Sequence, residues 1–363
     1  LEEWRLIDLG DAEPLIAQTF YEAVAYAVDR GLAPNTIIFV RPASPYVCIG
    51  FHQELEREVD VEYCRERGLP IIRRSQGGGA VYLDSNQLFY QIIGSERSEV
   101  IPFGVKELFE RLLQPIVYTY RRLGVQAEFK PVNDIVVQGR KISGNGAGKI
   151  GSSTVLVGNI ILDLDYESMA RVLKVPSEKF RDKMAQSMRE WVTSLKKELG
   201  SVPPLEQIKE ILVEAFEKNL RIKLVKGCAT SEEREIWEKE VKPRHLSYEW
   251  LYQPESRHQN LRAVKVKGGV NIVEVDYKAQ KLIRLTLEVV EGKIRDVLIS
   301  GDFFMIPEEA LLKLEEMLKD CMLQRDVLTE RIKEFYSRYR VQTPNVVPED
   351  FVEALMKAAS ELL

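Results

Sequence analysis

The 363-residue chain alternates between helical and strand-like spacing of its apolar positions. Residues 12–30, "AEPLIAQTFYEAVAYAVDR", place apolar side chains at helical intervals, and "RGLAP" stops the run. "NTIIFVRP" and "PYVCIGFH" read as two strands split by a Pro/Ser turn, and "LEREVDVEYCRERG" as an amphipathic helix closed by Gly68. "LPIIRRS" and "AVYLDSNQLFYQIIG" predict strands on either side of three consecutive glycines. "GVKELFERLLQPIVYTYRRLG" predicts one long helix ending at Gly124. "DIVVQGRKISG" and "STVLVGNIILDLD" predict two further strand regions, joined by the glycine-rich "GNGAGKIGSS".

After residue 165 helical spacing dominates to about residue 220, and the polar "KGCATSEEREIWEKEVKPRH" is where a domain boundary is expected. Beyond it, "LRAVKVKGGVNIVEVDYKAQKLIRLTLEVVEGKIRDVLISGD" alternates as several strands, with "EG" at 291–292 as a hairpin turn. "PEEALLKLEEMLKDC", "RDVLTERIKEFYSRY" and "PEDFVEALMKAASELL" predict helices, the last opened by "TPNVVPED". The pattern predicts α+β architecture twice: a larger N-terminal domain over 1–235, a smaller one over 245–345, and a terminal helix over 346–363.

Composition narrows the class. The hydrophobic fraction is 45%, the charged fraction 29% and the net charge −5, which suits a globular protein and weighs against a nucleic-acid binder. No run is apolar enough to span a bilayer, and "LEEWRLIDLG" lacks the order of a secretory signal, so a cytoplasmic location with no membrane partner is expected. Four cysteines without a CxxC pair, and three histidines, argue against a closed zinc site and for reduced, buried thiols, Cys48 most clearly.

Two clusters carry candidate chemistry. In "RRSQGGGAVYLD" (73–84) the glycines are followed by a strand and by no GK[ST], which excludes a dinucleotide fingerprint and a Walker loop. A bare triplet is also what a tight turn uses. Arg73 and Arg74 add guanidinium forks for a carboxylate or phosphate near a pocket mouth, and successive backbone N–H groups can cradle an anion. In "NDIVVQGRKISGNGAGK" (133–149) a hairpin turn at "QGR" sets Asp134 and Lys141 on facing strands. Lys141 there is either a surface residue or a cation that holds negative charge between two groups. Val81 and Tyr82 either flank an acyl tail or are ordinary core.

These blocks together resemble the lipoate–protein ligase family, relatives of the biotin–protein ligases. "RRSQGGGAVYLD", "NDIVVQGRKISGNG" and "VGNIILD" match in order and spacing. "FHQELEREVD", with Gln53, is similar to the glutamine-bearing loop ahead of a helix, and "QSMREWVTSL" to the segment that follows the catalytic strands. "GDFF" at 301–304 is similar to part of the accessory domain.

The resemblance implies a mixed-sheet catalytic domain that uses ATP, Mg²⁺ and lipoate. It makes lipoyl-AMP and passes the acyl group to a lysine of lipoyl-domain acceptors, namely oxo-acid dehydrogenase acyltransferase subunits or the glycine-cleavage H protein. It assigns Lys141 to catalysis and, together with Arg74, Gln76, Gly77, Gly78, Gly79, Ala80, Val81, Tyr82, Ser143, Gly144 and Gly158, to the acyl substrate. Asn133 and Asp134 fall near the nucleotide, Asp134 beside Mg²⁺, with Gly79 and Lys141 also touching the nucleotide. It further implies a mobile accessory domain, with its swivel near 228–245.

Three departures bear on the acyl group: Val157 and Leu83 stand where histidines are frequent, and Gln76 where a serine is common. They leave octanoate open. The superfamily also contains octanoyltransferases that use a cysteine, and "EFKPVNDIVV" has none, which favours an ATP-using ligase. An ATP-independent transferase, a biotin ligase and a non-catalytic acyl-binding relative are the alternatives.

Overall fold

The computed structural model describes residues 1–257 and 270–362. It divides into two compact units, Leu1–Cys48 with Val59–Arg74 and Val81–Leu246, and Ile49–Glu58 with Ser75–Ala80 and Ser247–Leu363.

The first unit contains β1 (Glu2–Ala12), β2 (Thr36–Pro42), β3 (Tyr46–Ile49), β4 (Ile71–Arg73), β5 (Val81–Leu83) and β6 (Gln87–Ser95). It continues with β7 (Glu128–Lys130), β8 (Asp134–Val137), β9 (Arg140–Ser143), β10 (Asn145–Ile150), β11 (Ser153–Ile161) and β12 (Ile222–Gly227). Its main sheet runs β10-β11-β6-β2-β1-β12. β1 lies parallel to β2 and β12, and the other pairs are antiparallel, so the sheet is mixed.

Continuous apolar runs such as "TIIFV" in β2 are what a strand covered on both faces requires. Alternation does the sorting. Ile38 and Val40 join a core with Ala17, Phe20, Val24 and Val28 of the Pro14–Asp29 helix. Phe39, between them, lies 6.3 Å from the ring of Phe216 on the Leu205–Leu220 helix. Two small sheets, β4-β3-β5 and β7-β8-β9, complete the unit.

Several expected elements divide. The helix over 104–124 breaks at Leu113 into Val105–Leu112 and Gln114–Arg122, because Pro115 supplies no amide hydrogen and crowds the preceding turn. "LEREVDVEYCRERG" forms Leu55–Glu58 and then Val61–Glu66, whose start is fixed by the Asp60 carboxylate accepting from Tyr63 N. Residues 80–94 form two strands in different sheets, separated by a turn in which Asp84 Oδ1 accepts from Asn86 N.

The glycine-rich 144–153 connector is largely strand β10, turning at Gly151, where a Cβ would stand 2.4 Å from the Asp29 carboxylate. Strands β1, β7 and β12 have no counterpart in the pattern reading.

Residues 226–245 are not a free polar linker. Thr230 and Glu233 form a capping box, and Ile236, Trp237 and Val241 are buried in the core of the first unit. Trp237 Nε1 donates to Thr19 Oγ1 at 2.9 Å, and Arg244 and His245 both pair with the fully buried Glu22 carboxylate. The expected swivel near 228–245 therefore falls on a segment anchored within the first unit.

In the second unit β13 (Val270–Lys278), β14 (Leu282–Val290) and β15 (Lys293–Gly301) form an antiparallel sheet. Glu291 and Gly292 turn with φ of 50° and 75°, as a two-residue hairpin loop demands. Helices Ala310–Leu318, Arg325–Tyr339 and Pro348–Ser360 pack on it, so the terminal helix shares this core through Phe351, Val352 and Leu355. Of the predicted strands, "LRAVKVKGG" lies outside the described residues. No helix among the described residues is long and apolar enough to cross a membrane.

Removing one partner of a buried ion pair leaves an uncompensated charge. Glu22→Ala is expected to lower folding stability by about 3–5 kcal/mol, read by urea denaturation. A loss below about 1 kcal/mol would show that the anchoring of 242–246 rests on apolar packing alone.

Candidate active site

β8 and β9 form a hairpin around Gln138 and Gly139, both with positive φ, 49° and 79°. This turn sets Val136 opposite Lys141, while a register shift puts Ser143 opposite Ile135. Asp134 and Lys141 thereby meet: Nζ lies 2.7 Å from Oδ1, with the side chains 35% and 39% exposed. The pair is partly open to water, so an incoming anion can compete for the ammonium.

β9 itself is held at three consecutive residues. Lys141 O accepts from Thr193 N at 2.8 Å, Ile142 O from Tyr120 Oη at 2.7 Å, and Ser143 Oγ donates to Asn159 O at 2.7 Å. Thr193 belongs to "QSMREWVTSL", whose Val192 bridges Lys141 in parallel. Arg140 adds a 2.9 Å ion pair to Glu198. Gly144 N donates to Asn159 Oδ1 at 2.8 Å, and a Cβ on Gly144 would sit 3.7 Å from Lys141 Cε.

Behind the hairpin lies a buried polar network that sequence reasoning missed. Tyr90 Oη is 3.0 Å from Ser143 Oγ and donates to Asn145 Oδ1. Asn145 Nδ2 donates to Asn133 O at 3.0 Å, and Asn133 Nδ2 donates to Asn145 O at 2.7 Å. Burial pushes the Tyr90 phenol far up, so it stays a neutral donor. Asn133, expected beside the nucleotide, is 7% exposed and engaged in this ring of bonds. Gly158 is needed here because a Cβ would fall 2.1 Å from Asn145 Oδ1 and 2.4 Å from Tyr90 Oη. The available signal was polar residues, Tyr90, Asn145 and Asn159, inside strands where asparagine is disfavoured.

Of the first-unit residues in the glycine block, Arg73 is fully buried on β4 rather than at a pocket mouth. Arg74 is half-buried, and its Nη1 reaches Cys48 Sγ at 3.5 Å. Burial pushes the Cys48 thiol up, with Arg74 pulling partly against it. Val81 is 38% exposed and Tyr82 half-buried, so neither is interior core. Three cysteines are buried and free, and Cys228 is exposed. No cluster of three or more metal-ligating side chains occurs among the described residues.

Gln76, Gly77, Gly78, Gly79 and Ala80 fall in the second unit, where the bare backbone serves a close approach. A Cβ on Gly77 would stand 2.5 Å from Phe303 O and 3.0 Å from Phe304 Cα. Gly78 has φ 95°, and its N–H points to Phe303 O at 3.4 Å. In the same unit His52 stacks on Phe303 at 5.0 Å, and Ser300 Oγ donates to Glu54 Oε1 at 2.6 Å. Gln53 Oε1 accepts from Gly50 N at 2.9 Å. The "GDFF" turn and the glycine triplet are thus matched parts of one packing unit.

Two substitutions test these constraints. Gly77→Ala must displace backbone and is expected to lower the melting temperature by several degrees, whereas Gly79→Ala meets only Asp302 Cβ at 4.0 Å and is expected to be mild. Equal effects in thermal melts would contradict the Phe303 contact. Gly158→Ala is expected to destabilise the fold more than Gly144→Ala in the same assay, because it collides with the buried Tyr90–Asn145 pair.

Comparison with known proteins agrees with this layout. Residues 13–217 match the family described as "Lipoyl protein ligase A/B catalytic domain", and 282–355 match "Bacterial lipoate protein ligase C-terminus". The chain is 30% identical over 275 residues to Octanoyltransferase LipM of Kyrpidia tusciae, covering 70% of this chain and 100% of that protein. It is 26% identical over 312 residues to Lipoate-protein ligase LplJ of Bacillus subtilis, covering 86% and 88%. Among solved structures, a bi-partite lipoate protein ligase from Thermoplasma acidophilum superposes with a TM-score of 0.60 at 27% identity. That match covers 69% of this chain and 97% of the other. The relatives carry both ligase and octanoyltransferase names, and the chain belongs to the lipoyl protein ligase A/B catalytic-domain family of acyl-transferring enzymes.

Proposed function

We propose that this protein is an ATP-dependent lipoate–protein ligase, and the observation that carries the reading is the Lys141–Asp134 pair on its anchored hairpin. In the first step a lipoate carboxylate oxygen attacks the α-phosphorus of ATP, an acyl–phosphate bond forms, and pyrophosphate leaves. Two unit negative charges 4 Å apart repel by about 4 kcal/mol at an effective dielectric of 20. One ammonium at comparable distance offsets a repulsion of that size, and Lys141 is the cation offered. In the second step the acceptor amine attacks the acyl carbonyl and AMP leaves with the bonding pair. Lys141 stabilises the developing oxyanion through charge and hydrogen bonding, with no covalent role.

Mg²⁺ arrives as part of the Mg·ATP substrate. Magnesium is ordinarily held by one or two carboxylates together with substrate phosphates. Asp134, a single partly exposed carboxylate, fits that limited demand once phosphates supply the other ligands. Arg74, Val81, Tyr82, Ser143, Gly144 and Gly158 are read as the surroundings of the acyl group. Ser143 and Gly158 act by holding the strands in place rather than by touching it. Lipoyl-domain proteins are its acceptors.

A second reading has one specific observation behind it. The octanoyltransferase relatives make Cys48, in contact with Arg74, a candidate thiol carrier. Burial raising its thiol opposes formation of the thiolate that such chemistry needs.

Two variants separate the readings in a gel-shift or mass assay of acceptor lipoylation. Lys141→Met is expected to cut ATP-dependent lipoylation at least 100-fold, about 2.7 kcal/mol of transition-state stabilisation. Cys48→Ser is expected to retain it within a few-fold. Full loss in Cys48→Ser, with an acyl-thioester trapped on the wild type, would replace the ligase by the transferase.

A further inference from the structure

The Glu178–Trp191 helix buries one side chain, Ala185, along its fourteen residues. Helices of this length in globular domains ordinarily bury a full apolar stripe. Here Phe180, Met184, Met188 and Trp191 recur at spacings of four, four and three and line up along one side. The two ends of that stripe are open, Phe180 being 49% and Trp191 64% exposed.

Residues 174–197 also carry seven basic and three acidic side chains in a chain whose net charge is −5. Arg181, Arg189 and Lys196 are paired with Asp60, Glu167 and Asp163 respectively. Lys174, Lys179 and Lys183 have no ion-pair partner among the described residues. Lys183 and Lys179 lie on the outer flank of the stripe by helical spacing.

Position supplies the third observation. The helix ends at Trp191, and the next two residues are the ones bonded to the Lys141 strand, through the Val192 bridge and Thr193 N to Lys141 O. An acceptor lysine has only a four-carbon stem. The body of its domain must therefore come close to residue 141 when the acyl group is transferred, and this helix adjoins that strand.

From these three observations we propose that the exposed stripe of the Glu178–Trp191 helix, with Lys179 and Lys183, docks the acceptor protein through an acidic surface beside its target lysine. The inference rests on the ligase reading for the identity of the partner. An apolar centre anchored by an aromatic, with a rim of unpaired cations, is the composition expected of a transient interface steered by charge.

The test uses the full chain and one probe, a purified apo lipoyl domain with an acidic surface. Binding is read by titration, transfer by lipoylation, and adenylate formation by hydroxylamine, a small nucleophile that takes the acyl group as hydroxamate and releases AMP. Phe180→Ser and the double variant Lys179→Glu with Lys183→Glu are each expected to weaken binding and raise the KM for the domain about tenfold, 1.4 kcal/mol. Hydroxamate formation should stay at the wild-type level, and wild-type binding should weaken with added salt.

Unchanged binding in both variants overturns the proposal. So does a parallel loss of hydroxamate, which would mean that the stripe serves the chain's own activation step. A wild-type dimer dissociated by Phe180→Ser would assign the stripe to a second copy instead. Absence of hydroxamate from the wild type contradicts the ligase reading alone, since the binding titration still decides the docking surface.

Discussion

The candidate site depends on the fixing of one four-residue strand, β9. β9 gives up the carbonyls of Lys141 and Ile142 and the hydroxyl of Ser143 to three different parts of the first unit. Such bonds contribute only about 1 kcal/mol each to net stability. Their importance here is geometric. An ammonium on a flexible stem can act electrostatically at low reorganisation cost only if its Cα is already in place. Tyr120, buried and also accepting from Ile161 N at 3.2 Å, ties that strand to the end of β11 and to the helix it sits on.

The charges follow from that anchoring. Asp134 and Lys141 form an ion pair at 2.7 Å, yet both remain a third or more exposed, so the pair is neither sealed in the core nor free in solvent. The Tyr90–Asn145–Asn133 network behind it is fully committed to internal bonds. The result is a rigid, neutral backing and an exchangeable ionic face. This arrangement suits a site that receives anions, because desolvation is spent once, when the substrate displaces an existing partner.

Much of this was legible in the order of residues. The "QGR" turn follows from glycine's tolerance of positive φ, and it was enough to place Asp134 and Lys141 face to face. Strands β2, β6 and β11 and the "EG" hairpin follow from alternation and turn chemistry, whereas the mixed character of the sheet comes from β1, which the pattern does not mark. Other features depend on distant partners and leave weak local traces. β1 and β12 pair with each other in parallel across more than two hundred residues, so neither is marked by a neighbouring turn. Gly77 reads as a turn or ligand contact, and its close approach to Phe303 leaves no local mark in the sequence. Likewise "SEEREIWEKEV" looks solvated, because its three buried apolar residues are spaced among charges that, apart from the buried Glu233, are exposed.

The most direct measurement is isotope exchange between labelled pyrophosphate and ATP, catalysed by the purified 363-residue chain with Mg²⁺. It reads the reversal of acyl-adenylate formation and needs no acceptor protein. The account requires exchange that depends on lipoate or octanoate and is absent without either acid. No exchange under these conditions, combined with ATP-independent movement of octanoate from acyl carrier protein to a lipoyl domain, would contradict it.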